Sequence, residues 1–373
     1  MTSSSVRRVV ETLLIAVFLV AICLPLAGKL LPSEGSFALT ENRRPAPFPT
    51  LRLSGSGWGW TVASFPRRFE RYWNDSFAFR WYLIRAHSLA KLALGASPSP
   101  KVLLGQEGFL FYAAEQSVDY FRGTKPFTDA DLARWRDDLV RRQQWLAERG
   151  IRYLVVVAPN KETIYPEHMP PSLRPLRAES RLDQLLRELG AKSDVEILDL
   201  RPALREGKAR ERIYHVTDTH WNDAGAMIAR REILGRVARW FPQVDPSLPD
   251  GSFVRRTATG GDLARMLALE DRFAEEYIEW RPAGSARARR VEPLEGASGN
   301  HESYECPACS GPVVVMNQDS FNENLAPLLA GQFRRLVLVD GTRIDESLIA
   351  RERPALVIQE FVERALMCRD LRC

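Results

Sequence analysis

The sequence predicts an α/β domain in which a mainly parallel β-sheet carries helices on both sides. Helical stretches alternate with short apolar runs from residue 101 onward, and the apolar runs are unbroken, as in strands buried on both faces. The length of 373 residues and the 45% content of apolar residues allow one large domain or two ordinary domains with a substantial core.

The charges of the chain are balanced and well mixed. Lys and Arg number 52, Asp and Glu number 47, and the net charge of +5 is not gathered into a basic stripe. Such a distribution does not support binding of nucleic acid, and we expect no nucleic-acid partner.

The N-terminus carries a basic pair followed by a long apolar segment. Arg7 and Arg8 precede the segment, and residues 12–28 carry no charge. With its apolar flanks the segment is long enough to cross a bilayer, with the basic side towards the cytoplasm. We therefore expect a cytoplasmic tail over residues 1–8 and a transmembrane signal anchor over residues 9–31. A cleaved secretory signal is the alternative.

Residues 32–100 are expected to form a linker followed by a helical region near the membrane. The first part is rich in Pro, Gly and Ser and shows no period. The later part, "SFPRRFERYWNDSFAFRWYLIRAHSLAKLALG", is dense in aromatic residues and predicts one or two helices. Residues 101–373 then form the predicted α/β domain.

The first helix and strand of the alternation are the clearest. A helix is predicted to begin after the cap residue Thr128 and to end at Gly150, with four apolar side chains on one face: Leu132, Trp135, Leu139 and Leu146. The next residues, "IRYLVVVAPN", predict a buried strand. The same order recurs in "RAESRLDQLLRELG" and "VEILDL", and further strands are predicted in "VVVM", "LVLVD" and "ALVIQ". Ligands gather at the carboxyl ends of such strands.

A serine follows the predicted strand "VVVM", within "NQDSFNEN". Ser320 stands on a strand-to-helix turn, and a helix is predicted to begin near Asn322. This position exposes a hydroxyl, while the N–H groups at the start of the helix can stabilise an oxyanion. The turn therefore favours a nucleophile, and the alternative is that Ser320 only caps the helix.

The stretch "YHVTDTHWNDAGA" supplies the other groups that a serine nucleophile needs. An imidazole removes the hydroxyl proton best when a carboxylate orients it, and Asp218 and His220 are two residues apart on an irregular segment. A predicted helix from Asn222 would hold both in place. The alternatives are a polar loop or a metal site that includes His215 or Asp223. Zinc sites of that kind usually contain more His, and only five are present, so no metal is expected.

Four cysteines lie beyond the N-terminal segment. Cys306 and Cys309 form "CPAC", and Cys368 and Cys373 form "CRDLRC". Outside the cytoplasm, an even number of thiols favours two disulfides, and the spacing leaves their pairing open. A four-thiolate zinc site and a redox-active CxxC pair are the alternatives.

Several blocks in their order resemble the alginate O-acetyltransferase family of AlgJ and AlgX type: "GQEGFLFY", "VVVAPNKETIYPEHMP", "YHVTDTHWNDAGA", "GGDLARML", "QDSFNENLAPLLAGQF" and "VIQEFVER". The resemblance covers roughly residues 40–365. It implies an SGNH-hydrolase-like three-layer α/β sandwich with a mainly parallel sheet, preceded by the transmembrane helix. It also implies a catalytic triad of Ser320 as nucleophile, His220 as general base and Asp218 as the residue that orients His220. The sequence departs from the family at Gln318, where Gly is common.

The activity that the resemblance implies is acetylation of a secreted or cell-surface polysaccharide. No cofactor is expected, because the acetyl group would come from a donor delivered by a multipass membrane O-acyltransferase. The domain would lie in the periplasm, anchored in the inner membrane as in the AlgJ type, among other polymer-secretion proteins. Further candidates for substrate binding or the oxyanion hole are Asn160, Lys161 and Arg343. The alternative for each of them is an ordinary role as a loop cap or a surface charge. The alternatives are a polysaccharide acetylesterase and a non-catalytic scaffold subunit.

Overall fold

The computed structural model describes residues 9–20, 45–51, 58–76, 80–284, 287–291 and 301–371. The chain divides into two compact units. The first contains Met1–Ser99 and Ala264–Glu270, and the second contains Pro100–Leu263 and Asp271–Cys373.

The first unit is helical in its described part. Helix α1 covers residues 9–20, α2 covers Trp58–Ser76 and α3 covers Arg80–Ala93. Aromatic residues of α2 pack against Phe48, whose ring centroid lies 5.1 Å from that of Tyr72. Within the described residues, no helix has the length and apolar character needed to cross a membrane. Residues 21–31 of the predicted anchor lie outside the described residues, so the anchor stays a prediction.

The second unit contains all described strands. They are, in chain order, β1 Val102–Leu104, β2 Leu110–Tyr112, β3 Arg152–Ala158, β4 Ile197–Asp199, β5 Gly251–Ala258, β6 Glu275–Pro282, β7 Arg289–Val291, β8 His301–Glu305, β9 Val313–Gln318, β10 Arg335–Asp340 and β11 Leu356–Val362. Helices lie between them along the chain: α4 Ser117–Arg122, α5 Asp129–Ala147, α6 Lys161–Ile164, α7 Arg181–Lys192, α8 Arg201–Lys208, α9 Asp223–Ala238, α10 Asp262–Met266, α11 Asn322–Ala330 and α12 Glu346–Glu352. Residues 264–266 of α10 belong to the first unit. Two 3₁₀ turns cover Pro166–His168 and Glu363–Met367.

The main sheet is mixed. Its described strands have the order β4-β3-β11-β9-β10-β8-β7. The first five are mutually parallel, whereas β8 runs antiparallel to β10 and β7 runs antiparallel to β8. The predicted strands "VVVM", "LVLVD" and "ALVIQ" are confirmed as β9, β10 and β11. The two antiparallel strands β7 and β8 were not predicted, because their sequences "RRV" and "HESYE" contain no apolar run.

The strands are buried on both faces, as the unbroken apolar runs predict. Side chains of β3 alternate between two separate hydrophobic cores, with Leu154, Val156 and Ala158 in one and Tyr153, Val155 and Val157 in the other. Helices α9 and α11 contribute to the first core, and α5, α7 and α12 contribute to the second. The second unit is therefore a sheet covered by helices on both faces.

Helix α5 shows why the local predictions were reliable. The Thr128 side chain accepts a hydrogen bond from the Asp131 amide, and the Asp131 side chain accepts one from the Thr128 amide. The four predicted apolar residues are all buried: Leu132, Trp135, Leu139 and Leu146. The helix ends at Ala147, and the predicted terminator Gly150 adopts the left-handed conformation with φ of 71°.

The cysteines are at least partly bridged. Cys306 and Cys309 form a disulfide in the segment between β8 and β9. Cys368 is also disulfide-bonded, and Cys373 lies outside the described residues. The CxxC pair is thus bonded to itself in this structure.

The strand order places three chain segments at one edge of the sheet. Strands β3, β11 and β9 are neighbours and parallel, so the residues that follow them emerge on the same side. These residues are Asn160 after β3, Glu363 after β11 and Ser320 after β9. This is the edge at which the sequence predicts the site.

Candidate active site

The structure brings Asp218, His220 and Ser320 together in a chain of hydrogen bonds. The Nδ1 atom of His220 lies 2.7 Å from Oδ1 of Asp218, and Nε2 of His220 lies 2.8 Å from Oγ of Ser320. Because a carboxylate only accepts hydrogen bonds, Nδ1 carries the proton and Nε2 is free to accept the proton of Ser320. This arrangement has the chemistry of a base-activated nucleophile.

The segment that carries Asp218 and His220 is an irregular loop held at both ends. Tyr214 and Trp221 form an isolated antiparallel bridge, and the amide of His215 donates to the carbonyl of His220 over 3.2 Å. Helix α9 follows directly, capped by the side chain of Asn222. The predicted rigid helix behind the loop is confirmed.

Ser320 lies on an exposed turn between β9 and α11. Its hydroxyl contacts His220, and the residue before the first helical position is Phe321, which makes no side-chain cap. Trp221 links the loop that carries His220 to the turn that carries Ser320, because its Nε1 donates to the carbonyl of Phe321 over 2.9 Å. Trp221 is fully buried and packs behind the site.

The turn that presents Ser320 is fixed by two carboxyl groups. The side chain of Asp319 accepts hydrogen bonds from the amides of Phe321 at 2.9 Å and Val362 at 2.8 Å. The amide of Asp319 donates to Glu360, a fully buried residue of β11, over 3.0 Å. Burial and the charge of Asp319 raise the pKa of Glu360 well above its usual value, which favours the protonated form of this carboxyl group.

Gln318, which departs from the family pattern, is accommodated in the strand. It is the last residue of β9 and pairs with Asp340 of β10. Its side chain accepts a hydrogen bond from Asn322 over 2.5 Å and donates one to Asp340 over 3.1 Å. The backbone at this position is extended rather than left-handed, so it does not require Gly.

The hydrogen bond and the charges around the pair favour the ionised form of Asp218 and make His220 a stronger base. Burial alone would raise the pKa of Asp218, but the hydrogen bond from His220 and its charge hold that pKa far below its ordinary value. Burial would lower the pKa of His220, whereas the hydrogen bond to Asp218 and the charges of Asp218, Asp262 and Glu323 raise it above 6.5. Each partner therefore favours the charged form of the other.

Two residues of the "GGDLARML" block support Asp218 from behind. The amide of Asp262 donates to Oδ2 of Asp218 over 2.8 Å, and Oδ1 of Asp262 accepts from the amide of Thr219 over 2.7 Å. Gly261 lies so close that a Cβ built on it would be 2.4 Å from Cβ and 2.5 Å from Oδ2 of Asp218. Only Gly leaves room for the observed position of Asp218.

Substitution of Gly261 by Ala is expected to displace Asp218. Overpacking of this kind costs about 1–3 kcal/mol, and a shift of Asp218 would slow covalent labelling of Ser320 by a phosphonate probe by about 10²-fold. The matched control is Gly235→Ala, because Gly235 lies within α9 and a Cβ added to it would meet nothing within 4 Å. Labelling of Gly261→Ala at the rate of Gly235→Ala would contradict this role for Gly261.

The candidates for the oxyanion hole lie at the same edge. The backbone N–H of Ser320 and the Nδ2 group of Asn160 have no hydrogen-bond acceptor among the described residues. Asn160 is only 2% exposed, and its own amide donates to Glu363. A buried donor without a partner is available for a substrate oxygen. The oxyanion role of Asn160 stays a prediction.

Lys161 and Arg343 have different surroundings. The Nζ group of Lys161 is buried and donates to the carbonyls of three residues of the loop: His215, Val216 and Asp218. Arg343 is exposed, and its carbonyl accepts a hydrogen bond from Asn317 over 2.7 Å. Within the described part of the chain, no hydrogen bond or ion pair joins Arg343 to Ser320 or His220. Substrate binding by either residue stays a prediction.

A metal at this site would compete with existing hydrogen bonds. Among the described residues, Asp218, His220 and Asp262 have potential ligand atoms within 4.8 Å of one another. The ring of His220, both oxygens of Asp218 and Oδ1 of Asp262 already have the partners given above. The other two ligands considered from sequence contact different groups, because His215 lies beside Glu275 and Asp223 accepts the amide of Trp280. The expectation of a metal-free site stays a prediction.

Four acidic residues that support the site were not predicted from the sequence. Asp262, Glu275, Asp319 and Glu360 gave no separate signal, because isolated acidic residues are common and their burial is a tertiary property. The available clue was that Asp262, Asp319 and Glu360 lie within the family-like blocks "GGDLARML", "QDSFNENLAPLLAGQF" and "VIQEFVER", whereas Glu275 lies outside these blocks.

Comparison with sequence families identifies similar proteins. Residues 102–295 match the family described as "SGNH hydrolase-like domain, acetyltransferase AlgX". The chain is 25% identical over 375 residues to the "Probable alginate O-acetylase AlgJ" of Pseudomonas syringae, covering 96% of this chain and 89% of that protein. It is 27% identical over 329 residues to the protein of the same name from Pseudomonas aeruginosa, covering 81% of this chain and 80% of that protein.

A solved structure supports the fold. Bacillus cereus PatB1 aligns with a TM-score of 0.53 at 13% identity, over 71% of this chain and 96% of that chain. The O-acetyltransferase domain of Pseudomonas putida AlgJ aligns with a TM-score of 0.49 at 19% identity, over 72% of this chain and 92% of that chain. Ser320 lies beyond the matched stretch of residues 102–295, so its place beside His220 is a finding of the structure.

Proposed function

Since the chain belongs to the family of SGNH hydrolase-like domains of the AlgX acetyltransferase type, we propose that it is an O-acetyltransferase acting on hydroxyls of a secreted or cell-surface polysaccharide. The observation that carries this proposal is the hydrogen-bonded chain from Asp218 through His220 to the exposed hydroxyl of Ser320. Similarity to proteins named as probable alginate O-acetylases supports the choice of an acetyl group and a polysaccharide.

In the first half of the proposed reaction, Ser320 takes the acetyl group. The Nε2 atom of His220 accepts the hydroxyl proton as Oγ attacks the acetyl carbonyl, and the amide of Ser320 with the side chain of Asn160 stabilises the oxyanion. Collapse of the intermediate breaks the bond to the donor, and His220 returns the proton to the leaving oxygen. The product is an acetyl ester on Ser320.

In the second half, a sugar hydroxyl takes the acetyl group from Ser320. His220 removes the proton of the hydroxyl, the sugar oxygen attacks the ester, and Oγ of Ser320 leaves with the proton. Asp218 keeps Nδ1 protonated and stabilises the imidazolium in both halves. No bound cofactor takes part in this scheme.

The proposed setting follows the family resemblance. The acetyl donor would be delivered by a multipass membrane O-acyltransferase, and the second unit would lie in the periplasm with the N-terminal segment in the inner membrane. The basic pair Arg7 and Arg8 before an uncharged run supports this orientation.

The proposal is tested by following the fate of the acetyl group. The purified chain is incubated with an activated acetyl ester, with and without an oligosaccharide acceptor. A transferase consumes the ester faster when the acceptor is present and yields acetylated sugar. Free acetate as the sole product, unaffected by acceptor, would identify an esterase, and an inert folded chain would identify a scaffold.

The pH dependence of ester consumption is expected to follow the protonation of His220. Only the neutral imidazole accepts a proton from Ser320, so the rate should rise with pH. Because the pKa of His220 is raised above its ordinary value of 6.5, the midpoint of this rise should lie above pH 6.5. The measurement is the rate from pH 5 to 8 on protein shown to be folded. A midpoint below pH 6.5 would contradict the assignment of His220 as the base.

A further inference from the structure

The loop of residues 215–220 poses a problem of hydrogen bonding. It has neither helix nor strand, yet His215, Thr217 and Thr219 are each at most 7% exposed. Buried backbone groups without partners are costly, so the polar groups of this loop must be satisfied by other parts of the protein.

One buried cation contacts three of its carbonyl groups, and the amide of Leu110 also donates to that of Val216. The Nζ group of Lys161 lies 3.1 Å from the carbonyl oxygen of His215, 3.1 Å from that of Val216 and 2.6 Å from that of Asp218. An ammonium group has three N–H donors, and three carbonyls account for all of them. Lys161 is 2% exposed, which leaves its charge enclosed by the protein.

Carboxylates satisfy the amide groups of the same loop. Oε2 of Glu275 accepts from the amides of Val216 at 2.5 Å and Thr217 at 3.1 Å. The side chain of Asp262 accepts the amide of Thr219. The backbone is therefore held between one cation that binds carbonyls and two anions that bind amides. The carbonyl that Lys161 binds most closely belongs to Asp218.

We infer that Lys161 is a positioning residue, whose ammonium group fixes the backbone of the loop so that the carboxylate of Asp218 meets Nδ1 of His220. Its effect on acyl transfer rests on the proposed function. Its effect on the hydrogen bond between Asp218 and His220 is independent of the proposed function. An experiment that measures this hydrogen bond therefore tests the role of Lys161 separately from acyl transfer.

The surroundings of Lys161 show that its charge is retained against an energetic penalty. Its Nζ lies 5.8 Å and 5.2 Å from the ring centroids of Phe109 and Phe111. Burial lowers the pKa of Lys161 to about 8, while four facing carboxylates oppose that effect: Asp218, Asp262, Glu275 and Glu162.

Deprotonation of Lys161 is expected to change the stability of the fold and the position of the loop in opposite directions. Its pKa is lowered from 10.5 to about 8 in the folded protein, so the unfolded chain binds more protons between these values. This group therefore makes the fold more stable as pH rises through that interval. The position of the loop should become less well fixed over the same pH interval. Deprotonation leaves Lys161 as a neutral amine, whose two N–H groups cannot donate to all three carbonyls.

The experiment compares Lys161→Met with Lys208→Met in the purified full chain. Lys208 is a matched control, because its Nζ also donates to a carbonyl, that of Ile164, and lies 4.6 Å from the ring centroid of Tyr165. The readouts are the far-downfield proton resonance of Nδ1–H in His220, the rate of labelling of Ser320 by a phosphonate probe, and thermal unfolding.

Lys161→Met is expected to lose or shift the Nδ1–H resonance and to label about 10²-fold more slowly, since small displacements of catalytic groups have effects of that size. Lys208→Met should match the wild type in both. Lys161→Arg should restore the resonance and remain insensitive to alkaline pH, because Arg stays charged. A folded Lys161→Met protein with an unchanged resonance and labelling rate would overturn the inference.

The wild-type protein gives a second test if Lys161→Met does not fold. Between pH 7 and 9.5, the Nδ1–H resonance should weaken with a midpoint near the pKa of about 8, without a matching fall in unfolding temperature. A resonance that persists across this range would also overturn the inference. Failure of the wild type to be labelled at all would count against the proposed function, while the resonance would still decide the role of Lys161.

Discussion

Replacement of Ser320 by Ala is expected to abolish acetylation of the polymer in the producing cell. Without Oγ there is no atom to carry the acetyl group, and loss of a serine nucleophile in such a triad lowers turnover on the order of 10⁴–10⁶-fold. Ser320 is exposed, and removal of its hydroxyl creates no cavity, so the fold should be unaffected. The measurement is polymer-bound acetate, with the abundance of the protein determined in parallel.

A matched variant makes this result specific. Ser252→Ala changes an exposed serine of β5 by the same atom and should leave acetylation at the wild-type level. Unchanged acetylation in the Ser320→Ala strain would rule out Ser320 as the nucleophile. Increased acetylation would instead indicate an esterase that removes acetyl groups from the polymer.

Asp218→Asn is expected to slow acetyl transfer by about 10⁴-fold with little change in KM, because the carboxylate selects the productive tautomer of His220. An Asn amide group can donate to Nδ1, which places the ring proton on Nε2. In this tautomer Nε2 cannot accept the hydroxyl proton of Ser320. The measurement is the steady-state rate with an activated acetyl ester on purified protein that unfolds at the wild-type temperature.

The control for Asp218→Asn is Asp223→Asn. Asp223 is near in sequence, but its Oδ2 accepts a hydrogen bond from the amide of Trp280, an acceptor role that Asn retains. Asp223→Asn should therefore react at the wild-type rate. Equal rates for the two variants would mean that the carboxylate of Asp218 does not orient His220.

The sequence predicted the parts of the fold that local chemistry determines. Thr128 is visible as a cap residue because Asp follows it three positions later, and it forms a capping box in the structure. The run from Tyr153 to Ala158 is visible as a strand because both of its faces are buried. Ser320 and His220 are 100 residues apart in the sequence, and the family resemblance supplied the expectation that they meet.

The contacts that complete the site depend on tertiary structure. Lys161 lies 57 residues from Asp218, and Asp262 lies 44 residues from it in the opposite direction. A buried Lys and an exposed Lys have the same sequence signal, so nothing local shows that Lys161 binds three carbonyls. The close contact of Gly261 with Asp218 could not be predicted from the sequence either. The only local clue was that Gly261 precedes Asp262 in a family-like block.

The central claim is that Ser320 carries the acetyl group during the reaction. The most direct measurement is peptide mapping by mass spectrometry after brief incubation of the purified chain with an activated acetyl ester and rapid acid quenching. We predict an acetyl group on the peptide that contains Ser320, absent from Ser320→Ala and strongly reduced in Asp218→Asn. Acetylation of another residue at the same level in all three proteins, or none in a folded wild-type chain that turns over the ester, would contradict it.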